Sequence, residues 1–412
     1  MGIFSRKKPK ADNSLSTTKF AFWGSSTAGT YVNETTAMQT AAVYACVKVI
    51  SEAIASLPIH VYKYQQNGAE VIPTHPLNKL LRIAPNPDMT AFSFFETVMG
   101  HLLIWGNAYA QIIRDGAGRV LALYPLLPNK TDIFRDGATR RIYYTYWRDA
   151  DETQRGEKTG GVRLEREDVL HIPGLSFDGM KGYSPIALAR NAVGMAIATE
   201  NFGASFFSNG ANPSGVLESP TALKNPDELR AKWESNYKGS GKANKLVILE
   251  EGIKYHTISV PPEQAQFLET RKFQLNEIAR IFRVPPHMIG DLEKSSFSNI
   301  EQQSLEFVKY CVNPWVVRLE QAMSQSLLLP SEQFDMYIKF NLDGLLRGDY
   351  ETRMKGYSIG LQNGFMSPND IRRLENMLEI PEELGGNKYM VNGNMIPLSD
   401  VGKQWGGGEG NA

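Results

Sequence analysis

The stretch that decides how this chain is built is Arg283–Asn299, RVPPHMIGDLEKSSFSN, because it separates two segments that both read as strong helices. On its N-terminal side, QAQFLETRKFQLNEIARIF sets Phe267, Phe273, Leu275, Ile278, Ile281 and Phe282 at helical intervals. On its C-terminal side, IEQQSLEFVKYCVNPWVVRLEQAM does the same with Ile300, Leu305, Val308, Cys311 and Val312. Pro285 and Pro286 end the first helix, since proline has no N–H and Pro286 biases the residue before it away from helical geometry. Ser298 with Glu301 forms a capping-box pattern that predicts the start of the second helix, and Pro314 inside that helix predicts a kink. An active-site lid, a plain connector or a loop pointing into a shared channel would each account for the interruption.

Upstream lies a second long helix with clear ends. Ser184 is a good N-cap, Pro185 suits the first helical position and Gly210 suits the stop. The roughly 25 residues between them, at about 1.5 Å each, predict a rod of about 37 Å. Between this rod and the helix from about Glu263 to Phe282 hangs a compact αβ insert. SGVLE reads as a strand, NPDELRAKWESNYKG as a helix and KLVILEEGIKYHTIS as a hairpin turning at Glu251-Gly252. A small module on a two-helix stalk is natural for a projection and unusual for an enzyme core.

The first half mixes both types of element. MQTAAVYACVKVISEAIASL, from Thr36 to about Ser56, predicts one amphipathic helix ended by Pro58. IHVYKY alternates, AYAQIIRD and VLALYPL flank the turn GAG, and RRIYYTYW and DVLHIPG are further strands, with a helix over FSFFETVMGHLLIWG among them. This half is α+β. From about Asp349 to Leu384 the chain reads as helical again, with Ser367-Pro368 capping PNDIRRLENML and Asp349 of an RGD triplet capping the segment before it. Residues 1–29 are basic, then rich in Ser, Thr and Gly, and are expected to be disordered, as is the tail 398–412.

Composition excludes several classes of function. Lys+Arg and Asp+Glu both total 44 in 412 residues, so the net charge is zero, which argues against binding nucleic acid through a basic surface. A surface over which DNA slides has no need to grip it. The N-terminus MGIFSRKKPK carries neither a secretory leader nor the myristoylation pattern, since Arg6 stands where Ser or Thr is needed. No run approaches the ~20 apolar residues of a membrane span, so a soluble protein made in the cytosol is expected. Cys46 and Cys311 each sit in an apolar helical pattern and read as buried thiols of a reducing compartment. GSGKANK at 239–245 lacks the first glycine and the Ser or Thr of a phosphate loop, because Asn236 and Ala243 hold those positions. GLSFDG at 174–179 is no nucleophile elbow, and the six histidines lack partners at metal or catalytic spacing. Glu250-Glu251 reads as a solvated hairpin tip. No catalytic set survives, so no enzyme and no cofactor are expected.

With these segments assembled, the chain resembles the portal proteins of tailed bacteriophages, the head–tail connectors of the long-tailed siphophage type. The resemblance runs from about Thr30 to Pro397. It rests on DVLHIPG with GYSPI, on NPSGVL, on the long block QFLETRKFQLNEIARIFRVPPHMIGDLEKSSFSNIEQQSLEFVKYCVNPWVVRLEQ, and on LLRGDYETRMKGYSIGLQNGFMSPNDIRRLEN. It implies a portal fold of class α+β: an α+β wing over 30–183, stem helices over 184–210 and 261–283, and a small αβ clip over 211–260. It further implies a tunnel loop over 284–299, a kinked helix returning to the wing over 300–346, and a helical crown over 347–397. Function follows by the same resemblance. A dodecameric ring at one vertex of the capsid would form a channel for double-stranded DNA, passed without sequence specificity. It would bind the terminase large subunit during packaging and head–tail adaptors afterwards, permit ejection, and assemble with major capsid and scaffolding proteins. The protein would reside in the virion, and in the host cytoplasm during assembly, with no membrane partner.

On this reading His287, Asp291, Glu293, Lys294, Ser295 and Ser296 are the candidates to line the channel. Asp291 and Glu293 against Lys294 leave the loop slightly acidic, so a ring of copies would repel phosphates. Asp227, Arg230, Lys238 and Lys242, on or beside the clip helix, are the candidates for docking terminase or adaptor. The rivals are a capsid or scaffold component without a channel, and a packaging-associated nuclease or ATPase. The second would need the phosphate loop or carboxylate metal cluster that the sequence does not contain.

Overall fold

Paired short strands open the fold: β1 (Gly24–Ser25) and β2 (Tyr31–Val32) run antiparallel into α1 (Glu34–Met38) and α2 (Ala41–Ala55). The structure, a computed structural model, describes residues 24–66, 68–148, 160–208, 215–220, 225–228, 230–231, 252–257, 264–292, 297–342, 345, 350–375 and 377–390. The single helix expected over Thr36–Ser56 is two. Asn33 and Thr36 close a capping box on α1, and buried Thr40 is extended (φ −74°, ψ 121°), so α2 starts afresh after it.

The expected strands and helices follow, with additions. β3 (Ile59–Gln65) and β4 (Gly68–Val71) form a hairpin, and α3 (Pro76–Arg82) and α4 (Ala91–Trp105) come next. Gly106, left-handed at φ 75°, stops α4. β5 (Asn107–Arg114) and β6 (Val120–Leu126) make the hairpin expected around GAG. β7 (Thr131–Arg135), β8 (Ile142–Tyr146) and β9 (Val162–Glu165) form a meander, and β10 (Val169–Pro173) returns to pair with β5.

The rod expected from Ser184 to Gly210 is broken after one turn into α5 (Pro185–Leu188) and α6 (Arg190–Ser208), with Ala189 at φ −91°, ψ 20° between them. Ser184 caps as expected, its hydroxyl accepting from the Ala187 N–H. The same hydroxyl donates to the Ile104 carbonyl, so the end of α4 dictates the direction of this first turn. Gly210 lies outside the described residues. β11 (Gly215–Glu218) pairs antiparallel with β12 (Lys254–Thr257), and residues 226–228 and 230–231 are helical. β12 was expected to pair with a first hairpin arm before Glu251, which lies outside the described residues; β11 is its described partner.

α7 (Gln264–Phe282) matches its expected range, and α8 (Phe297–Glu306) begins one residue before Ser298, which is therefore inside the helix and not its cap. Residues Phe307–Val312 then form a π-helical segment, and α9 (Asn313–Leu327) carries Pro314 in its first turn. Proline would clash with the carbonyl four residues back, and the wider turn before it relieves the clash at the place where the kink was expected. β13 (Met336–Phe340), unassigned from sequence, closes the first unit by pairing with β3 in the register Ile338↔Val61. A second compact unit, 343–412, is cut off by its own internal packing. It holds α10 (Tyr350–Gln362) and α11 (Pro368–Leu374), where Ser367 and Asp370 form a full capping box. The expected cap Asp349 lies outside the described residues.

Two apolar clusters hold the first unit. Val43, Val47, Ile50 and Ile54 of α2 pack with Phe94, Val98, Met99 and Leu102 of α4, all at most 5% exposed. Each such side chain contributes roughly 1.5–3 kcal/mol. Phe95 meets Phe340 edge-on at 5.4 Å and so ties β13 to α4. Tyr109, Leu126, Ile133, Tyr144, Leu164 and Val169 join the sheet β10-β5-β6 to the sheet β7-β8-β9. Cys46 and Cys311 are both buried free thiols, pushed up to about 12 by burial, so neither is a nucleophile.

His101 makes this core sensitive to acid. It lies buried in α4, edge-on to Trp105, its Nδ1 without a partner among the described residues, and burial holds its pKa down to about 4. Unfolded histidine takes its proton near pH ~6.5. Stability is therefore complete above that pH and is lost progressively as pH falls toward 4. Between about pH 7.5 and about pH 5 the expected loss from this group is about 2 kcal/mol. His101→Met should remove that part of the loss in urea titrations at the two pH values. An unchanged difference would show that His101 is not the source.

Candidate functional site

The interruption Arg283–Asn299 begins as a built joint. Arg283 ends α7 in the left-handed region, φ 58°, where a side chain costs roughly 1–2 kcal/mol. That conformation lets Val284 N–H reach the Ala279 carbonyl at 2.9 Å, closing the helix end, and Val284 itself is buried. The Arg283 guanidinium donates to the Tyr310 carbonyl at 3.4 Å. Tyr310 stands four residues before Pro314, so in a regular helix its carbonyl would find no N–H to accept from. Beside it, Cys311 Sγ–H donates to the Phe282 carbonyl at 3.3 Å. The end of α7 and the π-helical segment are thus stitched together twice.

Pro286–Ile289 forms a 3₁₀ turn that Gly290 ends at φ 96°. The Asp291 N–H returns to the Pro286 carbonyl at 3.0 Å. Two of the six channel candidates lie here, both partly buried. His287 Nδ1 meets Gln303 Oε1 of α8 at 2.8 Å, and Asp291 Oδ2 accepts from Asn276 Nδ2 of α7 at 3.0 Å. These bonds brace the loop's entry against both flanking helices. Glu293, Lys294, Ser295 and Ser296 lie outside the described residues.

Of the docking candidates, Asp227 and Arg230 are exposed within one helical turn of each other, while Lys238 and Lys242 lie outside the described residues. On the adjoining ribbon, Glu218 Oε2 and His256 Nε2 pair at 2.7 Å across β11 and β12, both well exposed. Sequence reasoning missed Asn276, Gln303 and Arg283 as the residues that hold the joint. For Arg283 a signal exists: proline at 314 strips an N–H partner from residue 310. Asn276 and Gln303 carry none, because each meets its partner only once the turn between the two helices has folded.

The comparisons match this architecture. Residues 41–376 match the family model described as Phage portal protein. The chain is 35% identical to the portal protein of Enterobacteria phage HK97 over 378 residues, covering 90% of this chain and 86% of that one. It is also 35% identical to the probable portal protein of Streptomyces phage phiC31, covering 89% and 80%. Among solved structures, a chain from the neck of a native gene transfer agent particle, computed with C12 symmetry, superposes with a TM-score of 0.54 at 22% identity. That superposition covers 83% of this chain and 92% of the other. A family match across most of the chain, relatives at 35% identity over their near-full length and a shared fold leave one conclusion: the chain belongs to the phage portal protein family.

Proposed function

We propose that this protein assembles into a ring at one capsid vertex, through which double-stranded DNA is packaged and later ejected. The observation that carries this reading is the family match over residues 41–376. Support comes from the shared fold with a neck component computed with C12 symmetry, which favours a twelve-membered ring in the virion. The zero net charge suits a channel that DNA crosses without being held. The protein acts as a structural conduit and not as an enzyme; a separate terminase supplies the ATP hydrolysis.

In this assembly the first-half sheets form the wing, α6 and α7 form the stem, and the β11–β12 module forms the clip that docks terminase and then adaptors. The stretch after α7 forms the tunnel loop, with the braced turn at His287 and Asp291 as its fixed base and Glu293, Lys294, Ser295 and Ser296 as further candidates to line the channel. The unit holding α10 and α11 forms the crown. Light scattering with negative-stain microscopy on one purified sample tests the ring: about twelve subunits around an open hole is expected, and a closed particle without a channel would overturn it. The docking surface has its own test. Asp227→Lys combined with Arg230→Glu should leave rings intact and reduce packaged DNA at least ~10-fold, the order expected when like charges meet at an interface. Normal packaging by such rings would remove these residues from the docking surface.

A further inference from the structure

A cavity of about 330 Å³ opens between β8, the loop after β10 and α9, lined by Tyr144, Arg166, His171, Arg318, Gln321 and Gln325 among others. Its remaining walls, including Ile133, Ile142 and Met180, carry no ionisable group. Arg318 NH1 donates to the Pro173 and Gly174 carbonyls at 2.7 and 2.9 Å. Its Nε is buried and has no acceptor among the described residues. Among the described residues Arg166 NH1 donates to the Val169 carbonyl, at 3.2 Å. Among the described residues neither guanidinium has a carboxylate within ion-pair distance. The one carboxylate of α9, Glu320, is turned to the Phe340 N–H at 2.8 Å.

His171 does not supply the missing negative charge, nor does it add a positive one. Its Nε2 meets Asn107 Oδ1 and its Nδ1 meets the Tyr144 hydroxyl, each at 3.3 Å, an arrangement that a neutral ring satisfies with Nε2–H and the Tyr144 hydroxyl donating. Burial, with Arg166 and Lys181 nearby, holds its pKa down to about 3. The cavity therefore concentrates positive charge that arginine cannot shed by deprotonation. The Trp315 ring, 5.6 Å from the Arg318 guanidinium carbon, offsets part of one charge, but water in the cavity would leave both guanidinium groups without an anion.

We propose that this cavity is a binding site for a small oxyanion, a phosphate or carboxylate group, held by the Arg318 and Arg166 guanidinium groups that line it. Guanidinium groups match the geometry of such oxygens, and the volume lies within the range of small-ligand pockets. The anion neutralises the junction where α9 is pinned to the end of β10, so its binding stabilises the first unit. In an assembled ring the same chemistry is supplied either by a free anion or by a carboxylate of a second copy.

The test is the thermal midpoint of the purified protein in inorganic phosphate against chloride at equal ionic strength. Phosphate is expected to raise the midpoint by about 2–4 °C more than chloride when it saturates the site. Arg166→Gln, which leaves the Arg318 anchor intact, should weaken the apparent phosphate affinity at least ~5-fold, the order of one lost charged hydrogen bond. Gln321→Glu places a carboxylate one helical turn from Arg318; it should raise the midpoint in chloride and abolish the response to phosphate. Phosphate acting no better than chloride, or acting equally on wild type and both variants, would overturn the proposal. A response from unassembled chains but not from rings assigns the site in rings to a neighbour's carboxylate. A response from both assigns it to a free anion.

Discussion

Gly182→Ala is expected to prevent the first unit from reaching its native packing. Three backbones cross at this point. Gly174 N–H donates to the Gly106 carbonyl at 2.7 Å, and Gly182 exchanges two hydrogen bonds with the Asn107 side chain, at 2.7 and 2.8 Å. A methyl group on Gly182 would occupy the position of the Gly106 carbonyl oxygen and press on the Gly174 nitrogen. Both obstacles are main chain, so no side-chain rotation can relieve them. The cost should exceed about 4 kcal/mol, close to the whole stability of many domains. Gly116→Ala is the control, since a methyl there meets nothing within 4 Å; it should change stability by less than about 0.5 kcal/mol. Urea midpoints and near-ultraviolet circular dichroism of the two variants decide the matter. A Gly182 variant as stable as the Gly116 variant would show that the crossing can spread apart.

The second large effect is expected in the other unit. Asn369 is fully buried, and its side chain closes a loop that no strand or helix closes. Nδ2 donates to the Ile380 carbonyl and to Asn387 Oδ1, each at 2.9 Å, while Oδ1 accepts from the Ile380 N–H at 2.7 Å. The Asn369 N–H adds a bond to the Gly386 carbonyl at 2.9 Å. Asn369→Ala leaves Ile380 with an unsatisfied donor and acceptor, at about 1–3 kcal/mol each if they stay dry. The segment will instead open to water. Hydrogen exchange across 377–388 should accelerate at least ~10-fold, while α2 and α4 in the first unit keep their protection. Unchanged exchange across 377–388 would mean that another group closes this loop.

Much of this molecule could be read from local signals. The β5–β6 hairpin followed from alternation on either side of two glycines, and α4 from apolar spacing closed by Gly106. The caps Ser184-Pro185 and Ser367-Pro368 were correct because a cap needs only the three residues after it. The long block around Arg283–Asn299 also carried enough of the family pattern to identify the portal fold, which the relatives at 35% identity support. The same local rules failed where distant groups competed. Ser184 and Gly210 predicted a continuous rod, but the chain turns at Ala189 just after Ser184 has bonded to the Ile104 carbonyl, 80 residues away in sequence. At Pro314 the sequence marks an irregularity but not its form, which is a π-helical widening bonded to Arg283 and Cys311.

The sequence by itself determined the helices flanking the joint, the double proline that parts them, the hairpins and the membership of the family. Each of these depends on interactions within a few residues or on a pattern carried by the chain order. Only the tertiary structure decided that β13 pairs with β3, that His287 and Asp291 are braced by Gln303 and Asn276, and that Arg166 and Arg318 share one cavity without a carboxylate. Those partners meet across tens to hundreds of residues. Such meetings are governed by the burial and hydrogen bonding of the whole unit, and periodicity along the chain carries no record of them.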